Sequence, residues 1–261
     1  MYPILFKIGS FSVPTVGLFH ATAFLVGSWW TVREARRVGM EAQKVLDFLF
    51  VIIVWSVIGA RIFSVLFDGN LRFYLHNPHE ILMVWKGGLT FYGGFLFGLT
   101  AGVWYASHHN LSKWEIADVV APAVALGAAV GRLGCFASGD SFGKPTGLPW
   151  GVIFGNPMAL APTGIALHPT QIYSVITNLA VLGMLLWWRK RQQFKGELFL
   201  VFVILYAITR SVVEVFRNDP RGVYLDGLIS TSQIISIVAG TAAVILYVSR
   251  RAKFTRKLPG W

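Results

Sequence analysis

The sequence predicts an all-α integral membrane protein with seven transmembrane helices and a small extracytoplasmic arm, or hairpin region, between helices 4 and 5. Three observations predict this class. The 261 residues are 55% hydrophobic and 13% charged, whereas charged residues make up roughly 25% of typical soluble domains. Apolar segments of roughly 20 residues, the length that crosses a bilayer, recur along the chain. The basic residues cluster between these segments, as in multi-pass membrane proteins.

Seven segments carry few charges and are long enough to span a membrane. They cover residues 14–33, 46–67, 81–107, 115–136, 169–188, 196–217 and 227–249. We expect one polytopic membrane domain over residues 1–261, because no composition shift or internal repeat divides the chain. Within it, residues 137–168 form the arm, where turn dipeptides and the alternating segment WGVIF predict short strands.

The distribution of Lys and Arg predicts the orientation of these spans. Fourteen basic residues fall in the loops and tail of one side and five in those of the other. We therefore expect a cytoplasmic C-terminus and, with an odd number of spans, an external N-terminus and arm. The N-terminal stretch lacks the basic region and cleavage site of a signal peptide, so the first apolar segment is expected to be retained.

The overall charge and the cysteine count exclude two classes of function. A net charge of +11 would favour nucleic-acid binding in a soluble protein, but here the basic residues flank apolar segments, and we expect no nucleic-acid partner. The single cysteine, Cys135, can form neither an internal disulfide nor a cysteine-rich zinc site.

Four cations fall inside apolar segments: Arg61, Lys86, Arg132 and Arg210. A cation in hydrocarbon costs several kcal/mol, so such side chains face the bundle interior and find partners. Arg132 and Arg210 lie towards the outer half of the membrane, where two guanidinium forks suit phosphate binding. Snorkelling to the interface is the alternative for Arg132 and the expectation for Lys86. For Arg61, a structural role is favoured over a catalytic one.

Tyr206, Arg210 and Glu214 are spaced i, i+4 and i+8, so they share one face of a helix. A structural ion pair between Arg210 and Glu214, which would set the helix register, is the alternative to a role in binding.

Glycine pairs frame Tyr92 in WKGGLTFYGG, and Gly93 and Gly94 follow it directly. Small residues allow close approach of either a neighbouring helix or a lipid chain. The Tyr92 phenol can hydrogen bond to a phosphate or carry a proton. His168, in LHPTQIY, can titrate near neutral pH or serve as a capping residue in a loop.

Four motifs occur in order: WKGGLTFYGG, GRLGCFASGDSFGKPTGLPWGVIF, LHPTQIY and GELFLVFVILYAITRSVVEVFR. Together they resemble the prolipoprotein diacylglyceryl transferase family of bacterial inner-membrane enzymes. VPTVGLFHATAFLVG and IGARIFSVLF resemble the family's first two helices, so the resemblance covers nearly the whole chain.

The resemblance implies a reaction and its partners. The diacylglyceryl group of phosphatidylglycerol is transferred to the lipobox cysteine thiol of a preprolipoprotein, and glycerol phosphate is released. The substrate supplies the reacting thiol, and no metal or cofactor is expected. The enzyme would act as a monomer in the lipid bilayer of the inner membrane, with a periplasmic N-terminus.

The resemblance also implies a set of site residues. Arg132 and Arg210 would hold the phosphate and stabilise its developing charge, and Glu214 would orient Arg210 or a proton. Tyr92 and Asp140 are the other expected catalytic groups. The remaining substrate-binding candidates are Tyr206, Gly93, Gly94, Gly139, Gly143, His168, Gln171 and Arg61.

Five positions depart from the family pattern. Tyr92 replaces a histidine and Cys135 an asparagine, as in one subgroup of the family. Val16 replaces a tyrosine, Asp140 a glutamate and Ser174 a glutamate. These departures leave open a weakly active paralogue that binds lipid or lipoprotein precursors, and a small anion transporter is a further alternative.

Two questions about the chemistry also stay open. The base that takes the thiol proton can be Tyr92, His168 or Asp140. Cys135 is not expected to act as a nucleophile, because an activated thiolate needs a base or cation beside it and Arg132 suits a phosphate at least as well.

Overall fold

The computed structural model describes residues 2–8, 11–69, 71–218, 223–224 and 229–256. Its α-helices are α1 (Thr15–Arg37), α2 (Ala42–Phe67), α3 (Leu71–His76), α4 (Phe91–His108), α5 (Lys113–Ser138), α6 (Thr170–Trp188), α7 (Glu197–Val215) and α8 (Thr231–Thr255). The strands are β1 (Ile4–Ile8), β2 (Phe11–Pro14), β3 (Val152–Ile153), β4 (Ala166–Leu167), β5 (Val223–Tyr224) and β6 (Ile229–Ser230). The strands form short antiparallel pairs in chain order, so the predicted all-α class is confirmed. Residues 227 and 228 of the seventh predicted span lie outside the described residues.

The chain divides into two compact units. The first contains Met1–Thr31 and Ala117–Trp261, and the second contains Val32–Ile116. Each unit is described by itself below.

Among the described residues, five helices are long and apolar enough to cross a membrane: α2, α5, α6 with its extension to Arg191, α7 and α8. Their outward side chains are apolar, as shown by Phe50 on α2 and by Val238 and Ile245 on α8, which are 69%, 64% and 63% exposed. Helices α1 and α4 fall outside this group, since glycines, histidines and polar residues dilute their apolar content. An apolar surface of this extent is typical of a protein whose outer surface contacts lipid.

The predicted third span, 81–107, is wrong at its first end. Helix α4 begins at Phe91, and the preceding chain forms 3-10 turns over Pro78–Leu82 and Val84–Lys86. Gly87 and Gly88 then adopt φ angles of 90° and 70°. Such positive φ angles are open mainly to glycine and interrupt a right-handed helix.

In the first unit, α5, α6 and α7 share an apolar core. Ala121 and Ala125 of α5 pack against Leu182 and Leu185 of α6, with Phe202 of α7 in the same cluster. The small residues of α5 allow the three helices to approach closely.

Polar contacts fix the start of α7, the helix that carries Arg210 and Glu214. The buried carboxylate of Asp118 accepts hydrogen bonds from the backbone N–H of Gly196 at 2.6 Å and of Phe199 at 2.9 Å. The Gln192 side-chain amide donates to the same carboxylate at 2.6 Å. Because a helix N-terminus has unpaired N–H groups and a partial positive charge, the carboxylate of α5 ties α7 to it.

The arm contains the strands that WGVIF predicts. Val152 pairs with Leu167 and Ile153 with Ala166. Phe154 and Leu167 are buried in a small cluster with Phe142. This satellite core gives the arm a defined shape beside the ends of α5 and α6.

Candidate functional site

Arg132 of α5 and Arg210 of α7 line the same cleft in the first unit. The cleft is lined by Arg132, Ser174, Thr177, Asn178, Tyr206, Thr209, Arg210 and Val213. All of these positions lie on α5, α6 or α7, so the helices that share the apolar core also bring the polar side chains together.

Arg210 is held in place by groups from two helices. Its Nη1 forms an ion pair with Glu214, one turn later on α7. Its Nη2 donates to Ser232 Oγ of α8 at 3.2 Å, and Ser232 Oγ donates to Glu214 Oε1 at 2.6 Å. The Ser230 and Gln233 capping box fixes the start of α8 and therefore the position of Ser232. A guanidinium has five N–H donors, so this network leaves Arg210 with donors for a further ligand.

Arg132 has a different environment. It is half-buried and has neither a hydrogen bond nor an ion pair to any of the described residues. It lies close enough to Arg210 for the two charges to interact, and Arg217 adds a third cation. The paired carboxylate of this cluster is Glu214, whose Oε2 lies 3.9 Å from Arg217 Nε. Arg132 therefore brings to the cleft a positive charge that no carboxylate among the described residues pairs with, which favours an anion.

Arg217 is one of the five basic residues that the charge distribution predicts on the external side, and its side chain is buried beside Glu214. The i, i+3 spacing from Glu214 is the sequence signal that identifies it as a neighbour of the site. Nothing in the sequence pointed to Ser232 either, because no charged residue of its helix lies near it.

The predicted loop residues support the backbone next to α5. Gln171 is fully buried, and its Nε2 donates to the carbonyl of Asp140 at 2.6 Å. A Cβ on Gly143 would lie 2.5 Å from the carbonyl oxygen of His168, so this position requires glycine. His168 Nδ1 lies 3.1 Å from the hydroxyl of Tyr173. The polar contact of the Asp140 carboxylate within the arm is with Ser141 Oγ, at 3.4 Å.

Gly139 has a φ angle of 77° and directs the chain from α5 into the arm. A Cβ there would lie 2.7 Å from Ala159. Direct contact of Gly139, Gly143 or Gln171 with substrate stays a prediction, and the structure gives each of them a role in the loop.

In the second unit, the chain itself accepts hydrogen bonds from four of the five N–H donors of Arg61. Its guanidinium donates to the carbonyls of Ile81 at 2.9 Å, Gly87 at 2.7 Å, Gly88 at 2.9 Å and Glu80 at 2.6 Å. This arrangement holds the 3-10 turns before α4. The structural role favoured for Arg61 accounts for all of these contacts, and substrate binding by Arg61 stays a prediction.

Gly93 and Gly94 face α2 in the same unit. A Cβ on Gly94 would lie 3.2 Å from the carbonyl of Ser56, and one on Gly93 would overlap Gly59 and Phe63. The glycines thus permit close packing of α4 on α2. Tyr92, in the first turn of α4, is 51% exposed and hydrogen bonds to none of the described residues.

His20 is a further residue that the sequence reasoning missed. Its Nδ1 lies 2.7 Å from the carbonyl oxygen of Val16. Because a carbonyl only accepts, Nδ1 carries a proton, and in the neutral ring Nε2 then has the lone pair. Nε2 lies 3.8 Å from the place of a Cβ on Gly131, the residue before Arg132. A histidine within an apolar span is the signal that points to it.

No group of three or more His, Cys, Asp or Glu residues that could hold a metal ion occurs among the described residues. Cys135 is buried one turn after Arg132.

Comparison with known proteins gives a consistent result over nearly the full chain. The family model described as prolipoprotein diacylglyceryl transferase matches residues 3–249. The phosphatidylglycerol-prolipoprotein diacylglyceryl transferase of Clostridium tetani is 33% identical over 237 residues, which cover 91% of this chain and 93% of the relative. The protein of the same name from Vibrio vulnificus (strain CMCP6) is 34% identical over 264 residues, covering 98% of this chain and 94% of the relative. The chain therefore belongs to the prolipoprotein diacylglyceryl transferase family.

Proposed function

We propose that this chain transfers the diacylglyceryl group of phosphatidylglycerol to the lipobox cysteine thiol of a preprolipoprotein and releases glycerol phosphate. The relatives carry the names of both substrates. The observation that carries the proposal is the cleft lined by Arg132, which has no ion-pair partner among the described residues, and by Arg210, which Glu214 holds in place. Such a cleft suits a phosphodiester that becomes more negative as it leaves.

The reaction balances without a cofactor. The substrate sulfur attacks the terminal glyceryl carbon of the diacylglycerol moiety, a C–S bond forms and the C–O bond to phosphate breaks. The electron pair of that bond goes to the phosphate oxygen, where the guanidiniums of Arg132 and Arg210 stabilise it. Glu214 and Ser232 act on Arg210 and keep its fork oriented, so they are positioning residues in this proposal.

The thiol proton needs an acceptor. Tyr92, Asp140 and His168 remain the candidates from the sequence. The Nε2 of His20, which accepts a proton when the ring is neutral, adds a fourth. His20 belongs to the same unit as Arg132. Its Nε2 lies 3.8 Å from the place of a Cβ on Gly131, the residue that precedes Arg132. A His20→Asn variant that loses transfer at neutral pH and regains it at higher pH, where more thiolate forms spontaneously, would support this assignment.

We propose that α1 and α4 also cross the bilayer, which gives seven spans in a single membrane domain. At 1.5 Å per residue their lengths are about 34 Å and about 27 Å, close to the roughly 30 Å of hydrocarbon. In the inner membrane of a bacterium, the N-terminus and the arm over residues 137–168 would then be periplasmic and the C-terminus cytoplasmic. Cysteine-accessibility labelling at each loop tests this arrangement, and the monomeric state is tested by light scattering in detergent.

The function is tested with purified protein in vesicles that contain phosphatidylglycerol and a lipobox peptide. We expect one diacylglyceryl group per peptide and one glycerol phosphate released per transfer. A peptide with serine in place of the cysteine, and vesicles of phosphatidylethanolamine alone, are the controls. Binding of peptide and lipid without transfer by a well-folded protein would instead identify the weakly active paralogue to which Val16, Asp140 and Ser174 point.

A further inference from the structure

We propose that the cleft has a second, neutral half that binds the hydroxyl groups of the lipid headgroup, and that Thr177, Asn178 and Thr209 thereby select a glycerol headgroup. This inference rests on the proposed function and deepens it. None of the three residues is charged, and all of them line the cleft together with Arg132 and Arg210.

The two threonine hydroxyls of the cleft have already used their protons. Thr209 Oγ1 donates to the carbonyl of Leu205 at 3.0 Å, and Thr177 Oγ1 donates to that of Tyr173 at 2.9 Å. A threonine hydroxyl has one proton and two lone pairs. Each of these groups therefore offers the cleft acceptor capacity only.

Asn178 adds a carbonyl to this half of the cleft. Its side chain is buried, and its Nδ2 donates to the carbonyl of Ser174 at 2.7 Å, one turn earlier on α6. Ser174 Oγ in turn donates to the carbonyl of Thr170 at 2.8 Å. One of the two N–H donors of Asn178 is thus engaged, and its Oδ1 is another acceptor.

The cleft thus places acceptors beside the guanidinium donors of Arg132 and Arg210. A matching ligand carries an anion next to neutral O–H donors. The phosphoglycerol headgroup has this chemistry, because its phosphate accepts from the arginines and its two free hydroxyls donate to the neutral half. An ethanolamine headgroup also donates, but its ammonium would lie next to Arg132, which has no carboxylate partner among the described residues, and is disfavoured.

The test compares two lipids that differ only in these hydroxyls. Transfer from phosphatidylglycerol and from phosphatidyl-n-propanol is measured in vesicles of phosphatidylcholine, and kcat/KM is compared. The unaltered protein is expected to prefer phosphatidylglycerol. Thr209→Val, which keeps the shape of the side chain, and Asn178→Leu are each expected to reduce that preference by about five- to tenfold, the effect of one lost hydrogen bond.

Thr100→Val is the matched control. Thr100 makes the same intrahelical bond, to the carbonyl of Leu96 at 2.8 Å, on the exposed side of α4, and its variant should keep the full preference. The proposal is overturned if the unaltered protein shows no preference, or if Thr209→Val and Asn178→Leu reduce transfer from both lipids equally.

Failure of the proposed function would look different, since neither lipid would then donate a diacylglyceryl group to the peptide. In that event the cleft is tested by equilibrium binding of the two lipids to protein in phosphatidylcholine nanodiscs. Tighter binding of phosphatidylglycerol that Thr209→Val abolishes would support the neutral half, and equal affinities would overturn it.

Discussion

Arg61 and Arg132 are both arginines within apolar helices, and they differ in what the chain offers them. Arg61 donates four hydrogen bonds of 2.6 to 2.9 Å to backbone carbonyls over residues 80–88. Arg132 has no such bond among the described residues and lines a cleft with Arg210. Both arginines lie in segments of high hydropathy, and they differ in the hydrogen bonds that the surrounding chain accepts from them.

The difference follows from the energetics of a cation outside water. Its lost hydration has to be replaced by carbonyls, carboxylates or a bound anion. The 3-10 turns before α4 supply carbonyls to Arg61, so its charge stabilises the fold. The described part of the chain supplies no equivalent for Arg132, so its charge is available to a phosphate.

The largest expected effect is the loss of transfer in Arg132→Ala. If Arg132 stabilises the leaving phosphate, kcat/KM falls by at least about a hundredfold. The variant should unfold at nearly the same temperature as the unaltered protein. Arg132 has no hydrogen-bond or ion-pair partner among the described residues, so its removal leaves none of them unpaired. Arg132→Lys separates charge from geometry, since it keeps the cation and loses the bidentate fork. Full activity of Arg132→Ala would show that Arg132 does not stabilise the leaving phosphate.

Arg61→Met tests the other side of the comparison. It leaves several backbone carbonyls without donors, and we expect the free energy of unfolding to fall by roughly 3 kcal/mol or more. Thermal unfolding in detergent measures this change. Arg72→Met is the control, since Arg72 is exposed on α3 and its replacement should change stability by less than about 0.5 kcal/mol. Unchanged stability of Arg61→Met together with lost transfer would move Arg61 into the substrate site.

Much of this arrangement follows from the sequence, because its signals are local. Apolar segment lengths predicted the long helices, and the spacing of Tyr206, Arg210 and Glu214 placed all three on one face of α7. The carbonyls that bind Arg61 could not be predicted, since they depend on the positive φ angles of Gly87 and Gly88. Ser232 and Asn178 were missed for a related reason: neutral polar residues gain a role only through the helices packed beside them.

Ser232→Ala tests how firmly Arg210 must be held and is expected to have an intermediate effect. Loss of the hydroxyl removes one bond to Arg210 and one to Glu214, so kcat should fall by about tenfold. KM for lipid should change little, since the charge of Arg210 stays in the cleft. Ser232→Thr restores the hydroxyl and should restore kcat. A change confined to protein stability would reduce Ser232 to a structural contact between α7 and α8.

The smallest expected effect is that of Cys135→Ala. The thiol is buried one turn after Arg132, and as the one cysteine of the sequence it is the residue that would carry a thioether-linked intermediate. In the proposed reaction the nucleophilic sulfur belongs to the peptide, and transfer by the variant should stay within about threefold, with a stability loss of about 1 kcal/mol for the small cavity. Transfer rates measure the activity of the variant, and the mass of the intact protein during turnover shows whether an enzyme-linked adduct forms. A diacylglyceryl adduct on the unaltered protein, absent from Cys135→Ala, would replace direct transfer by a two-step route. Without that adduct, Arg132 acts on the phosphate of the substrate and has no role in activating the neighbouring thiol.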